Sequence, residues 1–165
     1  MKKIGIYVLV GFILASCEKL PPETARGRDI VACNVNGEIF RSKKKKFFLG
    51  PSFGASAGVG DTLVIISGSR YYKNENNSRL YIHIFNFSGK GLYDIGGLSG
   101  NIASFHGEMG FFDTHDQDTG GWLNIKVFDD EIIAGTFEFK AKDMNGIVGD
   151  ITEGRFDIEY KPFER

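Results

Sequence analysis

The chain has 165 residues, with 20 Lys and Arg against 21 Asp and Glu, for a formal charge of −1. That balance, without a basic stripe, excludes the electrostatic footprint of a nucleic-acid-binding domain. The length suits one domain with a sizeable core.

The first elements form an address. Lys2 and Lys3 precede an uncharged run from Ile4 to Ala15, and small residues then lead to Cys17, the three-part layout of a secretory signal peptide. As a helix the run spans roughly 18 Å at about 1.5 Å per residue, short of a hydrocarbon core about 30 Å thick. Leu14-Ala15-Ser16-Cys17 resembles the bacterial lipobox. The resemblance implies diacylglyceryl attachment at the Cys17 thiol, cleavage between Ser16 and Cys17, and acylation of the new amino terminus. Two or more acyl chains hold a protein stably, whereas one does so only reversibly. Glu18, just behind the cysteine, resembles sorting information for surface display. The expected division is a signal peptide over 1–16, a lipidated tether over 17–29 and one β-domain over 30–165.

The tether, Leu20 to Arg28, has two prolines, a glycine and no apolar period, which predicts a flexible, extended segment. Ile30 to Val35, Asn36-Gly37 and Glu38 to Phe40 predict a hairpin, because Asn and Gly both accept the positive φ of a type I′ turn. Lys43 to Lys46 is the one charge run and reads as a solvated turn or edge guard, with anionic headgroups as the functional alternative. Gly50, Gly54, Gly58 and Gly60 predict a flexible loop over 50–60.

Thr62 to Ser67 predicts a strand buried on both faces or in mid-sheet, and Arg79 to Phe87 a second, with His83 sharing a face with Tyr81 and Phe85. Short strands follow at Leu92 to Ile95, Ala103 to His106 and Met109 to Phe112. Over Gly121 to Val127 the pattern turns Leu123, Ile125 and Val127 inward. Phe137, Phe139 and Ala141 alternate with Glu138, Lys140 and Lys142; Ile147 to Ile151 then precedes Phe156, Ile158 and Tyr160, which alternate with Arg155, Asp157 and Glu159. Period two with one polar face marks half-buried antiparallel strands. About nine or ten short strands without an amphipathic helix predict an all-β antiparallel sandwich, with a small barrel as runner-up.

Candidate chemistry is sparse. Asp113, Asp116 and Asp118 with Gly120 and Gly121 could gather oxygens for calcium, but the segment is a fragment of an EF-hand loop without its far Glu and reads first as a polar turn. His115 beside Asp113 and Asp116 lacks the nucleophile and oxyanion donors of a triad. His106 and Glu108 are two ligands where zinc needs three or four. Asp129-Asp130-Glu131 reads as a hairpin turn. Cys33, left without a partner if Cys17 is lipidated, reads as a buried inert thiol. Tyr71, Tyr72 and Trp122 are the candidates for a glycan-binding platform. No catalytic residue, metal or cofactor is expected.

Leu20-Pro21-Pro22-Glu23-Thr24, Cys33-Asn34-Val35-Asn36-Gly37, Ile133 to Phe139 and Ile151 to Asp157 together resemble a family of small Bacteroidetes lipoproteins whose domain has no known function. The resemblance covers most of the chain after Cys17 and implies no activity, cofactor or site residue. Gly135 and Gly154 within it read as points of close backbone packing, on strands expected to pair. The combined expectation is a non-catalytic structural or protein-interaction domain, with a ligand- or glycan-binding module or a calcium-dependent binder as alternatives. Its partners are membrane lipid through Cys17 and an envelope protein or glycan, with no nucleic acid. The location is the cell envelope, at the outer membrane, facing the periplasm or the cell surface.

Overall fold

The computed structural model describes residues 19–43, 54–71 and 77–162. The lipobox, Lys44 to Lys46 and Tyr72 lie outside them. The described residues form twelve strands and no helix: β1 Ile30–Val35, β2 Glu38–Arg41, β3 Ala55–Val59, β4 Leu63–Arg70, β5 Ser78–Phe85, β6 Gly91–Ile95, β7 Ile102–Gly107, β8 Gly110–Asp113, β9 Gly120–Phe128, β10 Ile132–Lys142, β11 Val148–Glu159 and β12 Lys161–Pro162.

They join in one sheet of order β12-β3-β4-β5-β7-β8-β10-β11-β1-β2, with β9 pairing β10 and β6. Every described pairing is antiparallel except the short β12–β3 contact, which returns the chain end to the opposite side of the sheet. The sheet therefore curls until its faces oppose each other, and the predicted all-β class holds. Across the curl, Phe40 of β2 meets Phe105 of β7 edge to face at 5.4 Å. A Cβ on Gly68 of β4 would stand 2.8 Å from Val31 of β1, so the layers touch without room for a methyl group.

The β1–β2 hairpin forms at Asn36 (φ 52°) and Gly37 (φ 87°), with Val35 opposite Glu38. Its Asn36 N–H donates to Asp150 O at 2.9 Å, and its Oδ1 accepts from Asp150 N–H at 2.9 Å. The turn is thereby tied to the start of β11.

The centre of the fold is the long pair β10–β11. Gly135 lies opposite Phe156 and Phe137 opposite Gly154. A Cβ on Gly154 would meet the Phe137 ring at 2.4 Å, and one on Gly135 would meet Asn124 O at 2.0 Å and the Phe156 ring at 2.9 Å. Each phenyl covers the partner strand's glycine, so both glycines are fixed by contact with neighbours. Rings and backbone stack here at interior density.

Three expectations are corrected and a fourth is narrowed to one of its alternatives. Residues 55–59, predicted as part of a loop, form β3 on the edge of β4; their small side chains hid the strand period. β4 takes the second of its two predicted places, in mid-sheet between β3 and β5, and its alternation of buried and half-buried residues turns one face toward solvent. β11 is one continuous strand through Thr152 to Gly154, where a bulge with Glu153 at φ 51° takes up the extra residue. Val127 faces outward: a bulge opposite Ala134 and Gly135 makes Lys126 the extra residue, and Phe128 takes the inward place, packing on Phe87 at 5.0 Å and Tyr160 at 5.6 Å.

The segment predicted as a flexible tether is, from Pro21 onward, laid along the outer face of β11. The Asp157 carboxylate accepts from Thr24 Oγ1, from Arg26 N–H at 2.9 Å and from Gly27 N–H at 2.7 Å. Arg155 donates to Pro21 O, and Lys126 Nζ pairs with Glu23 at 2.7 Å. Asp157, assigned by period to the polar face, is consequently only 3% exposed. The segment supplies the donors that a buried carboxylate requires.

Two measurements check this account. Gly154→Ala forces the Phe137 ring aside and is expected to cost about 1–3 kcal/mol as overpacking, read as a lower urea midpoint at unchanged m. Asp157→Ala leaves the Arg26 and Gly27 N–H groups unpaired, at a cost of about 1–3 kcal/mol. Trypsin is then expected to cut after Arg26 and Arg28 faster than in the parent, with the core strands still intact.

Candidate functional site

The outer face of β5 and β7 gathers most of the exposed chemistry. Tyr81 and His83 of β5 stand opposite Ser104 and Ile102 of β7, and His115 leans in from the β8–β9 loop. Together with Ala103 they line an open trough of about 250 Å³. Phe85 flanks His83 on the same strand, ring to ring at 6.5 Å, and Tyr81 does so at 6.4 Å. The predicted shared face of Tyr81, His83 and Phe85 is thus real, and period two made it legible. The contribution of Ile102 and Ser104 across the ladder was not, because it depends on strand register.

All three histidines of the chain border this surface, on separate positions. Partial burial lowers the pKa of His83 from the ordinary imidazole value. His106 stacks on Phe111 with ring centroids 3.7 Å apart, and burial likewise lowers its pKa. His115 turns to Asp113, with Nδ1 3.1 Å from Oδ1. His106 stands opposite Arg79 and His83 opposite Ile102, so the two rings stand four register positions apart.

The acidic loop does not converge on a point. Lys142 Nζ lies 2.5 Å from Asp118 and 3.9 Å from Asp116, while Asp113 is engaged by the His115 side chain and by its N–H at 3.1 Å. The Thr119 N–H and hydroxyl close the turn on Asp116 O. An ammonium sits among the carboxylates, and the polar-turn reading accounts for the segment. Among the described residues, no three His, Cys, Asp or Glu side chains are grouped as a metal site requires.

Trp122 and Tyr71 are separated. Trp122 of β9 stands over β10 and β11, beside Glu138, Lys140, Asp150 and Thr152, in a groove of about 210 Å³. Tyr71, past the end of β4, interacts with Arg79, whose pKa the phenols of Tyr81 and then Tyr71 raise. Strands β5, β7, β8 and β10 lie between β4 and β9 in the sheet, so these two rings form no common platform. Cys33 is fully buried and unpaired, and burial pushes its thiol far above the ordinary range; it is no nucleophile. Asp129 accepts from Glu131 N–H at 3.0 Å and Ile132 N–H at 2.8 Å, as the hairpin-turn reading requires.

Fold and surface together define a class: an all-β domain with a clamped N-terminal segment, an aromatic-edged trough and dispersed ionisable groups. The chain belongs to the family described as a domain of unknown function, DUF6252, whose model matches residues 31–157. No curated protein and no solved structure matched the chain.

The surface carboxylates set an acid limit to stability. The Lys142 ammonium lowers the pKa of Asp118, the Glu131 and Ile132 N–H groups lower that of Asp129, and chiefly the Ile147 N–H lowers that of Asp143. A carboxylate whose folded pKa is depressed stabilises the fold fully above its ordinary value of 3.8 and loses that contribution as pH falls through the folded value. The melting temperature is expected to fall below pH 3.8, with Asp129→Asn and Asp143→Asn flattening the acid limb in a calorimetric series.

Proposed function

We propose that this protein is a lipid-anchored component of the bacterial cell envelope, at the outer membrane, whose β-domain is a non-catalytic interaction module. The anchor reading rests on Leu14-Ala15-Ser16-Cys17 behind a charged pair and an uncharged run. The observation that supports it from the fold is the clamp on Asp157. Only Glu18, Lys19 and Leu20 stand between Cys17 and the segment held on β11. A domain attached in this way stays close to the bilayer that holds its acyl chains. The non-catalytic reading is supported by the sealed thiol of Cys33 and by the spacing of the histidines. The trough beside Tyr81 and Ile102, concave and mostly apolar, is the surface best suited to a partner's side chain.

Metabolic labelling with an alkyne palmitate tests the anchor. The parent chain is expected to take up the label and sediment with washed membranes, and Cys17→Ala to take up none. Equal labelling of the two would sink the reading.

A further inference from the structure

We propose that the end of the domain carrying the β10–β11 turn is a second membrane contact, at which Met144, Ile147 and Val148 enter the interface of the bilayer that holds the anchor. This rests on the lipid-anchored reading above and gives it an orientation.

Three observations meet at that end. The first is exposure. Met144 is 95% exposed, Ile147 61% and Val148 48%, with Phe111 at 51% beside them. Single exposed apolar residues are ordinary, whereas a contiguous group marks a contact surface. Phe111 belongs to the group because Asp113 pairs with Lys142 in antiparallel sense, so β8 begins at the end where β10 finishes.

The second is the turn itself. Asp143 Oδ1 accepts from Asn145 N–H at 2.8 Å and Ile147 N–H at 2.7 Å, and Ile147 O accepts from Asp143 N–H at 3.0 Å. The one carboxylate of the turn is occupied by its backbone. Met144 and Ile147 are held outward on a fixed loop, so little ordering remains to oppose insertion.

The third observation selects lipid as the occupant. The N-terminal segment crosses Arg155 at Pro21, Asp157 at Thr24 to Gly27, and Glu159 at Gly27. It therefore runs along β11 in the strand's own direction, and its upstream end leads toward Val148. From Pro21 to Cys17 the chain reaches at most about 14 Å, at roughly 3.3–3.6 Å per residue. From Arg155 to Val148 β11 covers about 23 Å, at roughly 3.3 Å per residue. At full extension along β11 the acylated residue would come within about 9 Å of Val148, and a bilayer that took up its acyl chains from that side would face the apolar turn. The contact is apolar insertion, insensitive to salt.

The test uses the full lipidated chain in vesicles of phosphatidylethanolamine and phosphatidylglycerol containing brominated acyl chains. Trp122→Phe removes the one tryptophan, Ile147→Trp places a reporter at the turn, and Asp130→Trp places one at the opposite end. The reporter at 147 is expected to emit to the blue and be quenched by brominated lipid at low and high salt, while the one at 130 keeps the emission of water. Adding Met144→Glu and Val148→Glu, both on exposed positions, is expected to abolish the quenching. An unquenched reporter at 147 in a chain that carries the palmitate label overturns the membrane contact and leaves the anchor standing; absence of the label removes the anchor and this inference with it. Quenching that survives the two glutamates, or a blue shift seen only in native membranes containing protein, also overturns it.

Discussion

The crossed pairing of Gly135 with Phe156 and of Phe137 with Gly154 constrains everything around it. Two long strands can lie this close only where each ring has a bare backbone to cover. Because each glycine faces the ring of the other strand, the register cannot slip by one residue without driving a Cβ into a phenyl and turning the inward rows out. Both neighbours of the pair inherit that register. β1 reads its alignment from β11 and shifts at the same bulge, and β9 reads its own from β10. The curl of the sheet then follows from the local twist that the bulges on β9 and β11 add.

The same register explains why the N-terminal segment is held. With Phe156 and Ile158 inward, Asp157 must point outward, beside Ala134 and the displaced Val127. That outer row has a buried carboxylate and half-buried apolar neighbours. It is stable only when something supplies N–H donors and covers it. Residues 23–27 do both, and positive φ at Gly27 and Asp29 turns the chain back into β1.

What was legible in the sequence was period two and turn chemistry. Asn36-Gly37 declared its hairpin because few dipeptides tolerate that geometry, and Phe137-Phe139-Ala141 declared an inward row because its partners across the strand are charged. What was not legible depends on distant parts of the chain. β3 is built of Ala, Ser and Gly, whose side chains carry little hydrophobic contrast. The bulge at Lys126 reverses the face of Val127 through a count that only the partner strand fixes. Asp157 looks like any outward acid until the segment more than a hundred residues earlier is placed on it. For the surface the division is the same: His83 and its aromatic neighbours follow from alternation, while Ile102, Ser104 and His115 join them only through pairing and loop direction. Trp122 and Tyr71 look alike in sequence and are kept apart by four strands.

The family match itself has a physical edge. It begins at Val31 and ends at Asp157, residues on the paired strands β1 and β11. The match therefore stops at the acid that binds the N-terminal segment, while the donors of that acid, Thr24, Arg26 and Gly27, lie before its start. A domain cut to the matched residues would carry a carboxylate on its outer row without its donors. Asp157 would then return to water, and Val127 and Ala134 would lose the cover that Thr24 and Ala25 give them. The structural domain is consequently longer than the matched one. The clamp that completes it also fixes the direction from which the chain arrives at the sheet.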